Sequence, residues 1–420
     1  MATLSYYWHI VSYSKGDKGA PMSVVRCASL AGTSRFRIIT LPILTLNENH
    51  MKKILYIGGF ELPDKNAAAQ RVIANARLLS DMGYEVSFIG VSKDIESAPS
   101  QVFGFKSAPV KYPSSIRQWF HQIFTFVDFD TIKRYSPDYV ILYNFPSVAS
   151  LRILRKCHKS GIKVIHDLTE WEEASGWNPR DIIRKIDINL RMRYCMKKMD
   201  GVIAISRYLY DRYCKYTQCI LVPPTVDLDN PKFSRDRSLE KTDDTIRLVY
   251  AGSAGLSPTK DRLDLIISNL KGYPTLRLDI IGMKEDQYVK IFNENEPVPE
   301  NVVFHGRLSH QDAVRAVCNA DFQMLVRENT RKNNAGFPTK FVESMSCCTP
   351  IIATRTSNIC DYLKDGVNGF VVDDTQSLDK VFKRIIAMSN NEITALKNAC
   401  REFEGFDFRN YKDEFKKLFN

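Results

Sequence analysis

From Met51 onward, short apolar runs alternate with amphipathic stretches; the alternation fades near Pro223-Pro224 and then begins again. No other feature of the chain restricts its fold as much. Strand candidates at 53–58, 85–91, 139–143, 163–166 and 202–205 are separated by helical patterns at 68–82, 148–159 and 181–198. Strands alternating with helices build parallel βαβ units, with helices over both faces of the sheet. Residues 223–245 are polar, carry prolines and lack apolar periodicity, which reads as a linker. A second series follows, with strands at 247–251, 277–281, 302–304, 322–326 and 351–353 and helices at 262–270 and from Thr339, continuing through Cys400. The predicted fold class is α/β: two tandem Rossmann-like, doubly wound domains facing a cleft. They span 51–225 and 246–400 and are joined by a linker over 226–245.

Composition narrows the class. A chain of 420 residues with 44% apolar and 25% charged residues is long enough for two or three buried cores and is neither collagenous nor disordered. No apolar run approaches the ~20 residues of a spanning helix. The run 38–46 is short, holds a proline and lacks a small-residue cleavage site, so no signal peptide is expected. Ten cysteines without a CxxC pair fit reduced thiols in a cytoplasmic protein. Residues 1–50 lack sustained periodicity and are expected to be a leader, either disordered or not native, with Met51 as the natural start. They hold five basic and two acidic residues, so +8 of the net +11 belongs to the remainder. A basic surface suits anionic partners.

Ligands of open α/β sheets bind beyond the carboxyl ends of strands, so the loops there carry the search. Gly58-Gly59-Phe60 follows the first strand, where glycines let backbone approach a phosphate or sugar; a plain tight turn reads equally well. It is not GxGxxG, and no acidic residue closes the second strand, which argues against a nicotinamide dinucleotide. The richest stretch runs from Arg327 to Glu343. It crosses a polar loop, Ala335-Gly336-Phe337-Pro338, and opens a helix at Thr339. Free N–H groups at that helix start, together with Lys340, can hold a diphosphate. Glu343, one turn in, can accept hydrogen bonds from a ribose diol.

The segment AGFPTKFVESMSCCTPIIAT resembles the nucleotide-sugar segment of family-4 retaining glycosyltransferases of GT-B architecture, of the bacterial polysaccharide-biosynthesis type. The resemblance covers roughly 51–400 and is strongest over 246–373, where Asp365-Gly366-Val367-Asn368-Gly369-Phe370-Val371-Val372 matches the family's following turn and strand. It implies that Glu343 binds the nucleotide ribose and that Gly336, Phe337, Pro338, Thr339 and Lys340 surround the donor. Ala335 stands where the family has its first glutamate, which contacts the donor sugar. Tyr250-Ala251-Gly252 and Lys260 are similar to the loop gripping the donor diphosphate. Ser253 replaces that loop's arginine, and Arg327 is the candidate to supply the missing charge. In the first domain the resemblance brings His166 to the donor sugar at a strand end, with Asp167 and Glu170 as weaker cleft candidates. A satisfied structural histidine is the other reading of His166. The final helix, 407–420, is implied to pack back on the first domain.

The implied reaction is transfer of a sugar from a UDP- or GDP-linked donor to the hydroxyl of a saccharide or lipid-linked saccharide. It proceeds with retention and needs neither metal nor cofactor, with His166, Lys260 and Arg327 as catalytic residues. Asp128-Phe129-Asp130 spells a metal-binding DxD triplet but lies in an aromatic stretch remote from the phosphate motif. Two basic stretches, 111–134 and 180–198, carry interleaved aromatic or apolar residues and read as a surface for the inner membrane, or as an amphipathic helix packed on the sheet. No nucleic-acid recognition motif accompanies the charge. The alternatives to a transferase are a non-catalytic nucleotide-sugar or membrane-binding scaffold and a nucleotide-sugar epimerase.

Overall fold

The computed structural model describes residues 51–63, 66–172, 176–241, 243–252, 261–292, 297–373 and 377–419. The proposed leader, Ser253 and Lys260 lie outside them.

Two large sheets organise the described residues, beside a two-stranded pairing of Val91–Ser92 with Val110–Lys111. In the first, strands run in the order Gln218–Leu221, Gly201–Ala204, Lys163–Leu168, Tyr139–Tyr143, Lys53–Gly58 and Glu85–Ile89, all parallel. The edge beyond Glu85–Ile89 carries Phe105–Ser107 and then, antiparallel, Gln101–Val102. The second sheet is wholly parallel, in the order Val302–Gly306, Leu276–Ile281, Ile246–Ala251, Phe322–Leu325, Ile351–Thr354, Gly369–Val372. Near-continuous apolar runs such as Tyr139–Tyr143, buried at every position, are what strands covered on both faces require. Covering helices bury the matching stripe: Ala67–Asp81 turns Val72, Ala76 and Leu79 inward and is capped by Asn66, whose side chain accepts from the Ala69 N–H.

In each sheet the strand order reverses beside the first strand of its series. The first switch lies between Lys53–Gly58 and Tyr139–Tyr143, the second between Ile246–Ala251 and Phe322–Leu325. Crevices at such points are where open α/β sheets bind ligands. The chain crosses between the sheets after Leu221 and returns near Phe406, where Val226 and Asp407 form a bridge. Beyond it, Phe415, Leu418 and Phe419 are buried in the same apolar cluster as Ile54, Tyr56 and Ile220 of the first sheet.

Candidate active site

A cleft of about 1070 Å³ opens between the two sheets. Its first wall comes from Glu61, the start of helix Ala67–Asp81 and Lys93; its floor is Pro224, Thr225 and Val226; its second wall includes Gly252, Lys284, Arg307, His310, Arg327, Lys340 and Glu343. Seven cationic side chains line it, since Arg71 and Lys232 add to Lys93, Lys284, Arg307, Arg327 and Lys340; against them stand Glu61 and Glu343 and, behind the walls, Asp167 on Arg71 and Asp261 on Arg327 and Lys340, which leaves three positive charges in excess. Such a surplus in a concave site concentrates an anionic ligand.

The second wall is built on the switch point. Gly252 follows one flanking strand and Arg327 the other, and helix Thr339–Ser346 begins beside them. Asp261, 1% exposed, ties these parts together. Its carboxylate accepts from Arg327 Nε at 2.6 Å, from Lys340 Nζ at 2.5 Å and from the Tyr250 hydroxyl at 2.6 Å. Burial alone would raise its pKa, but Lys340 and Arg327 overcome that and hold the carboxyl well below the usual range. One carboxylate against two cations leaves a net positive charge fixed in the wall, at the mouth of a helix whose first N–H groups lack intrahelical partners. Gly252 has φ +139°, and a Cβ there would lie 2.2 Å from Lys340 Cε, so only glycine lets Lys340 cross this strand end. Glu343 Oε1 sits 3.9 Å from His310 Nε2, which also lies 3.5 Å from Lys232 Nζ and 3.4 Å from Gln70 Nε2 of the opposite wall.

Several expected site residues lie elsewhere. His166 is fully buried: its Nε2 accepts from the Phe145 N–H, and burial, with the nearby Arg191 charge, lowers its pKa to about 3. The ring is neutral and does not line the cleft. Asp167 is also fully buried, bound to Arg71 and accepting from Asn75 and from the Tyr56 hydroxyl. Arg71 in turn donates to the Val222 and Pro223 carbonyls, so the Asp167–Arg71 pair fixes the crossing segment that forms the cleft floor. Glu170 accepts from Asn144 outside the cleft. Phe60 is buried among Tyr56, Phe88 and Tyr143, and Gly58 is required by close approach, a Cβ there lying 2.6 Å from that of Tyr143; Gly59 is exposed.

The loop before Thr339 is corrected in the same way. Phe337 packs edge-on against Phe341, Tyr362 and Phe406, and Ala335 is fully buried with its carbonyl accepting from Ser206 Oγ of the first domain at 2.7 Å. Gly336 stands against the Thr169 carbonyl and Pro338 is buried, and neither faces the cleft. Arg331 stacks on Trp171 of the first domain beside this contact. Apolar burial of Phe337 outweighs what its polar neighbours signalled. Asp128 precedes the short helix Phe129–Arg134 at its N-cap position, without a capping bond from its side chain, away from the cleft. Among the described residues, no group of three or more His, Cys, Asp or Glu side chains is placed to hold a metal ion.

Asp261, His310, Lys284, Arg307 and Lys93 escaped the sequence reading. Lys284 and Arg307 follow strands Leu276–Ile281 and Val302–Gly306 within three residues, so the strand-end rule could have found them. Asp261 carries no motif; only its neighbours in space give it a role.

Two family models tile this arrangement. The one described as Glycosyltransferase Family 4 matches residues 68–230, and the one described as Glycosyl transferases group 1 matches 234–403. The chain is a GT-B glycosyltransferase. Among solved structures, the glycosyltransferase is similar to sucrose-phosphate synthase from Thermosynechococcus elongatus (14% identity, TM-score 0.63, 88% of this chain and 98% of that one). It is also similar to HepE from Anabaena in complex with UDP (14%, 0.57, 87% and 98%) and to the lipopolysaccharide outer core galactosyltransferase WaaB (18%, 0.57, 87% and 98%). At these identities the likeness is one of fold. No curated protein matches the chain in sequence.

Proposed function

We propose that this glycosyltransferase takes its sugar from a nucleoside diphosphate donor, UDP- or GDP-linked, and passes it to the hydroxyl of a saccharide or lipid-linked saccharide. The observation that carries the reading is the second wall of the cleft, where Arg327, Lys340, Glu343 and a helix start converge at the switch point. Negative charge develops on the leaving diphosphate as the glycosidic bond breaks. Arg327, Lys340 and the first-turn N–H groups are fixed in advance to meet it, so little reorganisation is needed at that moment. These side-chain cations take the part a metal plays elsewhere, and activity is expected to survive a chelator. Glu343 accepts from the ribose hydroxyls, and the first wall, with Glu61, Gln70 and Lys93, receives the acceptor. The family-4 match over the first domain supports retention at the anomeric carbon, and HepE, solved with UDP and with UDP-glucose, makes UDP the first nucleotide to try. The setting we infer is cytoplasmic assembly of a cell-surface polysaccharide or lipid-linked oligosaccharide.

The test is nucleotide release from UDP- and GDP-sugars by the full chain, with and without saccharide acceptors and with EDTA present. Release from one donor is expected, stimulated by acceptor, indifferent to EDTA, and reduced about 100-fold or more in Arg327→Ala and Lys340→Ala. Binding without transfer or hydrolysis would support the scaffold, and acceptor-independent conversion of the donor sugar would support the epimerase.

A further inference from the structure

Two adjoining helices of the first domain carry apolar side chains on the outside of the molecule. Helix Ile116–Phe124 buries only Ile123, while Ile116 (64% exposed), Phe120 and Phe124, spaced four residues apart, form an outward stripe. Helix Pro179–Arg193 packs through Ile188 and Met192 and exposes Ile182 and Ile186, the latter 62% exposed. Trp177, just before it, is 84% exposed. Arg180 of the second helix stacks over Trp119 of the first at 5.4 Å, so the two form one surface, and Lys185 lies 4.9 Å over Trp177. Exposed apolar groups this close together mark an interaction site.

The charges around them say what the partner is. Arg117, Arg180 and Arg193 are exposed on the two helices. Glu172 is paired with Arg184, and on the helix Pro179–Arg193 the remaining cations Arg180, Lys185, Arg191 and Arg193 outnumber the carboxylates Asp181 and Asp187. Aromatic and β-branched side chains interleaved with an excess of cations match a headgroup layer, where the apolar parts enter the acyl boundary and the cations meet phosphate. Neither helix is long enough to span, which fits an element lying in the plane of the surface. We propose that this face seats the enzyme on a bilayer leaflet containing anionic lipid. The seat is independent of the donor reading, and its test measures binding rather than transfer.

The full chain is floated with phosphatidylcholine vesicles and with vesicles containing 30% phosphatidylglycerol. Binding is expected to the anionic vesicles, to fall steeply as salt rises, and to drop about tenfold or more in Arg180→Glu/Lys185→Glu and in Trp177→Ser/Ile186→Ser. Trp177, Arg180 and Ile186 are exposed and Lys185 is half-buried, so these side chains can change without lowering the melting temperature, and an unchanged melting temperature checks that the variants fold. Absence of flotation at low salt would overturn the proposal, as would equal binding by the variants. A self-association lost in Trp177→Ser/Ile186→Ser, without vesicle binding, would assign the face to a second copy of the chain instead.

Discussion

His166 and Asp261 are both buried titratable groups, and they act on stability in different pH windows. The folded state holds His166 neutral, with its pKa lowered to about 3, whereas an unfolded histidine takes up a proton near pH 6.5. The unfolded state therefore binds more protons between those values, and stability falls as pH drops through that window, by up to about 1.4 kcal/mol per pH unit. His166→Asn is expected to flatten the dependence of melting temperature on pH between about 6.5 and 4; equal slopes for variant and parent would contradict it. Asp261 is held low, so its contribution is complete above the ordinary carboxylate pKa near 4 and lost only as pH falls further. Asp261→Asn leaves Lys340 and Arg327 without their counter-charge and is expected to cost about 3–5 kcal/mol, read from denaturant unfolding at pH 7. Gly252→Ala acts on binding, because its Cβ would displace Lys340: nucleotide affinity is expected to fall about tenfold, measured by calorimetry.

At the scale of elements, the loop Ala335–Pro338 tests how the domains meet. Restoring the family's first glutamate with Ala335→Glu would push a carboxylate into a fully buried contact beside Ser206 and is expected to cost about 3–5 kcal/mol. A variant with unchanged melting temperature and faster transfer would show instead that position 335 reaches the donor. The strands were legible because both-face burial writes itself as short apolar runs: the expected 139–143 and 277–281 stand at Tyr139–Tyr143 and Leu276–Ile281. Strand Gln218–Leu221 was missed, since Gln218 is exposed and the run has only three apolar residues. The loop was misread because its glycine and proline are turn signals, whereas the partners that bury Phe337, Tyr362 and Phe406, come from distant parts of the chain. His166 fits the same account. A strand end predicts proximity to the cleft, but the ring turns toward Phe145, which pattern alone does not encode.

Across the whole molecule, two sheets present their switch points to one cleft, and the chain crosses between them twice. Part of their junction is an apolar and cation–π contact built from Trp171, Ala335 and Arg331, while the cleft itself is strongly basic. The central claim is that the basic wall binds a nucleoside diphosphate through Glu343, Lys340 and Arg327. Thermal unfolding of the full chain with UDP, GDP and their sugars tests it most directly. One nucleotide is expected to stabilise the protein by about 2.7 kcal/mol at 100 times its dissociation constant. The effect should shrink in Glu343→Ala, which loses charge-assisted hydrogen bonds of roughly 1.5–3 kcal/mol. Absence of a shift with any nucleotide, or a full shift in Glu343→Ala and Lys340→Ala alike, would contradict the account.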